Sequence, residues 1–419
     1  VIRLPEDPGR RTTVLALLAA AIAACFRLVR LDVPHEEVFD EVYHAKAALS
    51  YLRGEVPVEW VHPPTSKILI SFFVWLFGYN SWSWRLAPAF AGIALAPVFF
   101  LLARRVLATE RAAILATLLL LCDGVYLVQS RIAMTNIFAV LFQLTAVYFF
   151  FKAVSSERLG VRDTLLGGLA LGLALSTRWT SLFAMGFLGL LVLAKRQLRV
   201  FRPRELGLMI VAFLAIPALV YVGSYWFYPA IRPTSLRHLL ETQKAIWAYH
   251  AGLNATHAYF SPWYTWPWLT RPTWYFFRKA DETVWGIVAL GNPALWWASV
   301  PVTLWMLATG ALKRDTARIF AGAGFACLYL PWGLSPRTLN FNHYLFEALP
   351  YACLGLGLLL DQAWDQPRWG VVARVYLGLV IGLFLFFLPI LTCYPVGVPL
   401  FYFQPVKGSY LWMWFTSWI

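Results

Sequence analysis

Apolar runs of about twenty residues recur along the chain, parted by short polar stretches, and predict membrane-crossing helices. A helix needs about 20 apolar residues to span the hydrocarbon core, fewer where neighbours cover its ends. On that criterion about eleven transmembrane helices are expected, at 13–30, 84–107, 111–129, 134–152, 164–177, 180–194, 206–227, 286–312, 318–334, 344–363 and 370–391. The two that flank Arg178 are short. Two long stretches, 31–83 and 228–285, interrupt the series and are rich in Trp, Tyr and Pro. Amphipathic aromatic rings favour the headgroup layer, so both stretches are expected to lie on the membrane as short interfacial helices. Within Glu41–Arg53, Val42, Ala45, Leu49 and Leu52 recur at helical spacing with polar residues opposite. No tandem repeat, low-complexity tract or soluble domain is evident. Residues 1–419 therefore read as a single all-α polytopic membrane domain.

Composition supports this reading. The chain is 60% hydrophobic and 13% charged, against about 45–50% and 25% in soluble globular domains. A water-soluble protein is excluded. The net charge of +14 could suggest nucleic acid, but the basic residues cluster between apolar runs. Arg104-Arg105, Lys195-Arg196 with Arg199, Arg202 and Arg204, and Lys313-Arg314 are the clearest clusters. They follow the positive-inside rule for cytoplasmic loops, and no nucleic-acid partner is expected. With the N-terminus in the cytoplasm, all dense basic clusters fall on one side, and both long stretches become outer loops. Arg3, Arg10 and Arg11 precede the first run, but Arg27, Arg30 and Asp32 follow it without a small-residue cleavage site. It reads as a first span, not a signal peptide. The five cysteines are scattered, without metal-ligand spacing, and read as small apolar packing residues.

The outer loops carry the candidate chemistry. Asp40 and Glu41 stand between Val38-Phe39 and Val42-Tyr43, at the mouth of the first span. A partly desolvated carboxylate there can serve as general base toward a hydroxyl, with its neighbour orienting it; an ordinary solvated acidic loop is the other reading. Arg27, Arg85, Arg131 and Arg178 each fall at or just inside the outer end of an expected span. Arginine is costly in the membrane, so four at one depth suggest a cationic pocket for a phosphate. Snorkelling to the interface is the alternative for each. His62-Pro63-Pro64 with Lys67 makes a rigid turn that presents an imidazole and an ammonium, and His343 lies at the outer end of a later span. Either histidine could touch substrate, or serve as a hydrogen-bonded structural residue. No HxxxH or HExxH spacing occurs, so no metal is assigned. Walker, GxGxxG and GxSxG patterns are absent as well. A soluble nucleotide cofactor has no visible home, and a donor would arrive through the membrane.

These residues resemble a known family. The stretches FDEVYHA, HPPTSK and WRLAPAFAG are similar to the first third of protein O-mannosyltransferases. The likeness continues through DGVYLVQSRIAM, STRWTSLF, SPWYTWPWLTRPTWYF, LGNPALWW, YLPW, NHYLFEALP and the C-terminal WFTSWI, in family order. The resemblance implies a GT-C membrane glycosyltransferase that moves mannose from a polyprenyl-phosphate carrier to Ser or Thr hydroxyls of polypeptides. It implies Asp40 as the catalytic base and Glu41 as a functional neighbour. The family's Ser-Thr-Lys-Trp reads Ser176-Thr177-Arg178-Trp179 here, so Arg178 takes the donor-phosphate role with its charge kept. Arg27 and Arg85 match functional arginines; Arg131, His62, Lys67 and His343 carry over as positions near the donor. Thr65-Ser66 replaces the common Leu-Gly before Lys67, and Thr135-Asn136 replaces Leu-Asp. Eukaryotic members carry a β-trefoil module in the second outer loop, for which this chain has no room. A bacterial plasma-membrane member with an extracytoplasmic site is expected. A sibling transferase adding a sugar such as aminoarabinose to a lipid or cell-wall acceptor would share this fold. A transporter of lipid-linked substrate would show paired repeats with broken helices near the midplane, which the chain lacks.

Overall fold

The computed structural model describes residues 5–156, 159–195 and 202–418. Of the basic residues used above, Arg3, Arg196, Arg199 and the Lys195 side chain lie outside the described residues.

The chain opens with α1 (Pro8–Leu28), capped by the Asp7 carboxylate on the Arg10 amide. The first long stretch folds into α2 (Glu41–Arg53) and α3 (Thr65–Phe77), then α4 (Ser81–Val106). A left-handed Gly54 closes α2. The periodicity read from sequence thus places α2 with its observed limits. There follow α5 (Glu110–Leu121), α6 (Gly124–Gln129), α7 (Asn136–Val154), α8 (Val161–Leu175) and α9 (Ser181–Lys195). Next, α10 (Pro203–Ile210) and α11 (Ile216–Ser224) join through a π-helical turn into one run of 22 residues. The second long stretch holds α12 (Leu236–Gly252) and the strands β1 (Thr273–Ala280) and β2 (Thr283–Ala289). The last part is α13 (Pro293–Lys313), α14 (Thr316–Tyr329), α15 (Leu349–Trp364) and α16 (Trp369–Leu391), then a two-residue strand β3 (Val396–Gly397).

Among the described residues, seven helical runs are long and apolar enough to cross a membrane: Pro8–Leu28, Ser81–Val106, Asn136–Val154, Pro203–Ser224, Pro293–Lys313, Thr316–Leu334 and Trp369–Leu391. The other four expected spans carry shorter helices: α5, α8, α9 and α15, of 12, 15, 15 and 16 residues. One interruption has a plain cause. Asp123 caps a new helix, α6, through the Tyr126 amide at 2.8 Å, and also accepts from the Asn292 amide and the Trp296 indole. That carboxylate breaks the apolar run 111–129 while staying fully satisfied.

The chain is mainly helical, but the sheet was not expected. β1 and β2 form an antiparallel hairpin, with β3 on its far side. It occupies residues that sequence periodicity divided between an outer loop and the start of the span 286–312. Asn292 caps α13 with Pro293 at its first position, so the helix starts there.

The helices pack α1 on α4, α4 on α7, α7 on α8, α5 on α15 and α13 on α14. Gly92 in α4 allows one close approach: a Cβ there would sit 2.3 Å from that of Ser130 and 2.8 Å from Arg27 Nε. Arg85 and Arg104-Arg105 lie at opposite ends of α4, roughly 28 Å apart at the rise of an α-helix. The candidate site is therefore a bilayer's depth from this basic cluster.

Candidate active site

Asp40 is presented by a tight turn. The Glu41 amide donates to the Val38 carbonyl at 2.9 Å, and Phe39 sits at φ +48°. A non-glycine residue there is uncommon and strained. The Phe39 ring is held in place: it stacks on Tyr275 of β1 with centroids 4.3 Å apart and meets His257, Phe341 and His343 edge-on. The Asp40 side chain caps no helix amide and makes no hydrogen bond among the described residues. It opens instead into a polar cavity of about 510 Å³. Desolvation pushes its carboxyl up to about 6, and the Glu59 carboxylate nearby adds to the rise; Arg178 and Arg337 oppose it. A carboxylate so poised takes a proton more readily than an ordinary aspartate and is still mostly ionised at neutral pH.

Glu41, one residue on, points the other way. It is fully buried, and its two oxygens accept from Arg85 Nε (2.9 Å), Arg85 Nη2 (2.7 Å), the Val38 amide (3.0 Å) and the Ala133 amide (2.9 Å). Arg85 spends its remaining donors on the carbonyls of Leu31, Pro34 and Glu36. The pair ties the loop before α2 to α4 and to the segment before α7. That is how Asp40 is held.

The structure separates the four arginines. Arg178, in the α8–α9 connection, lines the cavity beside Asp40. Its Nη1 donates to Asn136 and, at 3.4 Å, to Thr135; its Nε lies 3.8 Å from Glu347, and the guanidinium covers the Tyr344 ring. Arg85, Arg131 and Arg27 do not line it. Arg131 donates to the carbonyls of Phe26, Arg27, Val29 and Arg30, closing the C-terminal end of α1. Arg27 lies buried over the Tyr126 ring at 3.9 Å and donates to the Ala23 carbonyl. One cationic pocket of four arginines is not what the fold builds.

His62 and His343 line the cavity; Lys67 does not. Lys67 is buried and binds Glu59 and the His62 carbonyl. Glu59 also accepts from the His62 amide (2.9 Å) and His62 Nδ1 (2.7 Å). This fixes the imidazole with its other nitrogen free, by the partners each atom has. His343 lies stacked on Phe341 with its Nδ1 unpartnered among the described residues.

Sequence reasoning missed several lining residues: Glu59, His44, His250, His257 and Arg337. Five of the seven histidines in the chain line this cavity. Desolvation lowers all five, His44 to about 4 and His62 to about 3, so they act as neutral hydrogen-bonding groups. The fixed positive charge of the cavity wall is therefore Arg178 and Arg337. Arg337 is held by the Leu339 carbonyl at 2.7 Å and by His250 Nδ1 at 3.3 Å, while His250 Nε2 donates to the Val61 carbonyl.

Beyond these two arginines lies a second, apolar groove of about 360 Å³. Leu182, Phe183, Trp247, Trp332 and Leu334 line it, and it shares His62, Arg178, His250 and Arg337 with the polar cavity. Trp247 and Leu334 are exposed, so the groove opens outward. Polar chamber, two guanidinium groups and apolar groove thus lie in series. This is the arrangement a ligand with a polar head, an anionic link and an apolar tail requires.

Comparison with known proteins bears on the same residues. The family described as dolichyl-phosphate-mannose-protein mannosyltransferase matches residues 17–81 and 79–232, and the C-terminal four TMM region of protein-O-mannosyltransferase matches 235–418. A protein of Mycolicibacterium smegmatis (strain MKD8), named polyprenol-phosphate-mannose–protein mannosyltransferase, is 28% identical, with 99% of this chain and 94% of that protein covered. One of the same name from Corynebacterium glutamicum is 27% identical over 99% of this chain and 96% of its own length. The protein O-mannosyltransferase Pmt1-Pmt2 complex of S. cerevisiae, bound to the sugar donor, superposes with a TM-score of 0.80 at 15% identity, over 92% of this chain and 90% of that chain. ArnT from Cupriavidus metallidurans, bound to undecaprenyl phosphate, gives 0.61 at 16% identity over 91% and 74%. The structural likenesses show the GT-C fold, and the sequence matches run nearly end to end. The chain belongs to the dolichyl-phosphate-mannose-protein mannosyltransferase family.

Proposed function

We propose that this chain moves mannose from a polyprenyl-phosphate-mannose donor to Ser or Thr hydroxyls of polypeptides, at the outer face of a bacterial plasma membrane, with inversion at the anomeric carbon. The observation that carries this reading is the serial arrangement of Asp40, the Arg178–Arg337 pair and the apolar groove. The isoprenoid lies in the groove, the phosphate meets the two guanidinium groups, and the sugar enters the chamber where Asp40 faces it. The acceptor hydroxyl gives its proton to Asp40 as its oxygen attacks the anomeric carbon from the side opposite the phosphate. The bond from that carbon to the phosphate oxygen breaks, and polyprenyl phosphate leaves carrying the charge. Arg178 and Arg337 stabilise that growing charge where water is scarce. Asp40 then returns its proton to solvent.

Each remaining expected residue has a place in this scheme. Glu41 and Arg85 hold the Asp40 turn, and Arg131 and Arg27 hold α1 beside it. Lys67 acts through Glu59 on His62. His62 and His343, neutral, offer hydrogen bonds to hydroxyl groups. Buried nitrogens on Asn136, His44 and His343 that have no hydrogen-bond partner among the described residues suit a ligand rich in hydroxyls.

The test uses the purified chain in detergent with polyprenyl-phosphate-mannose and a Ser/Thr-rich peptide. The expected product is an α-mannoside on peptide from a β-linked donor, lost in Asp40→Asn. Transfer that survives Asp40→Asn would refute the base. Transfer to lipid acceptors and to no peptide would refute the acceptor.

A further inference from the structure

Glu347 is a buried carboxylate without an assigned task. It ends a 3₁₀ turn, Asn342–Glu347, ahead of α15 and is about 1% exposed. Oε1 accepts from the Thr180 hydroxyl at 2.8 Å, and Oε2 accepts from Gln143 Nε2 at 3.0 Å, itself linked to Ser181. Its one ionic partner among the described residues is Arg178, with Nε 3.8 Å away. It lines neither the polar cavity nor the groove. It therefore reaches the site only through its neighbours: by charge through Arg178, and by a hydrogen bond through Thr180, which lines the groove.

We infer that Glu347 is a counter-charge that weakens the hold of Arg178 on the lipid-linked phosphate, so that polyprenyl phosphate leaves after each transfer. This rests on the proposed phosphate role of Arg178. Two effects of Glu347 could oppose each other: it could orient Arg178 and so strengthen phosphate binding, or repel the phosphate and weaken it. The geometry decides between them. No hydrogen bond joins Glu347 to Arg178; the orienting contacts come from Asn136, Thr135 and the Tyr344 face. The effect of Glu347 is thus mainly charge acting through space, in a buried setting where screening by water is weak. A phosphate seated on Arg178 meets that same charge. Without it, the leaving phosphate is held too well.

The test is inhibition of mannosyl transfer by farnesyl phosphate, measured on the full chain in detergent. Glu347→Gln keeps the shape and exchanges one acceptor oxygen for a donor, which the Thr180 hydroxyl can accept by rotating; it should lower the inhibition constant by about tenfold. Steady turnover should fall while the first turnover stays near wild type. Asn136→Asp places a carboxylate on the same guanidinium, since Asn136 Oδ1 already accepts from it, and should raise the constant. The double variant should return toward wild type. A merely structural role for Glu347 would not be repaired from another helix. Arg178→Gln separates the two levels. If it leaves inhibition unchanged, the phosphate role of Arg178 is wrong. If it raises the constant but Glu347→Gln fails to lower it, the counter-charge is wrong. Should Glu347→Gln fail to fold, Asn136→Asp still decides: an unchanged or lowered constant overturns the inference.

Discussion

Replacing Arg85 by methionine removes a guanidinium whose five hydrogen-bonding contacts all run to Glu41 or to three loop carbonyls. Glu41 is left fully buried with two backbone amides and no cation. Breaking a buried ion pair from one side costs about 3–5 kcal/mol, because the remaining charge is stranded. The two amides keep the expected loss near the lower end, about 3 kcal/mol. Removing both charges, in Arg85→Met with Glu41→Gln, should recover most of it, since paired removal is often close to neutral. Activity should behave differently. The same contacts set the turn that carries Asp40, and a shift of about 1 Å at a reacting group can cost roughly 100-fold. The double variant should therefore regain stability and stay slow, with its defect in kcat. The measurements are reversible unfolding in mixed micelles and steady-state transfer kinetics. An Arg85→Met protein with unchanged unfolding free energy and kcat, and only a raised donor KM, would refute this reasoning and return Arg85 to the phosphate.

Asp40 works as the ionised form, and its value stands near 6. Transfer should thus be flat above about pH 7 and fall tenfold per pH unit well below 6, while Asp40→Asn loses about 10²–10⁴-fold throughout. Glu59→Gln removes the carboxylate that helps raise Asp40, so the acid limb should move to lower pH; an unmoved limb would count against this coupling. Arg131→Met strips four carbonyls at the end of α1 of their donor; unfolding should become easier by about 2 kcal/mol, with donor KM unchanged. Trp247→Asp puts a charge in the apolar groove and should raise KM for a long-chain donor by about tenfold or more; equal kinetics would place the isoprenoid elsewhere.

The membrane class and the helical series were legible because lipid forces long apolar runs, and such runs can be counted. The hairpin was not, because β2 runs directly into the apolar residues before α13, and Val284, Ile287, Val288 and Ala289 are buried alike. Where both faces of a short strand are covered, period-two alternation disappears. Only the Asn292-Pro293 cap marked the true start of the helix.

The candidate site was legible as a set of residue types, and unreadable in its directions. Asp40 and Glu41 are neighbours with the same charge, yet one faces the cavity and the other is locked to α4. The difference lies in the turn: Phe39 at positive φ, with its ring fixed by Tyr275 of the hairpin. No local pattern announces that contact, since 236 residues separate the two rings in the chain. The arginines repeat the lesson. All four sit near ends of helices or in their connections, and position along the chain alone made them equivalent. What distinguishes them is their surroundings: carbonyls and a carboxylate of other segments hold Arg85 and Arg131, Arg27 lies buried away from the cavity with Nε and Nη2 unpartnered among the described residues, and Arg178 lines the cavity. A cation available to a ligand is one the fold both leaves incompletely paired and brings to the cavity wall. That property belongs to packing across the whole chain, so Arg337, which no pattern singled out, stands beside Arg178 on the same footing.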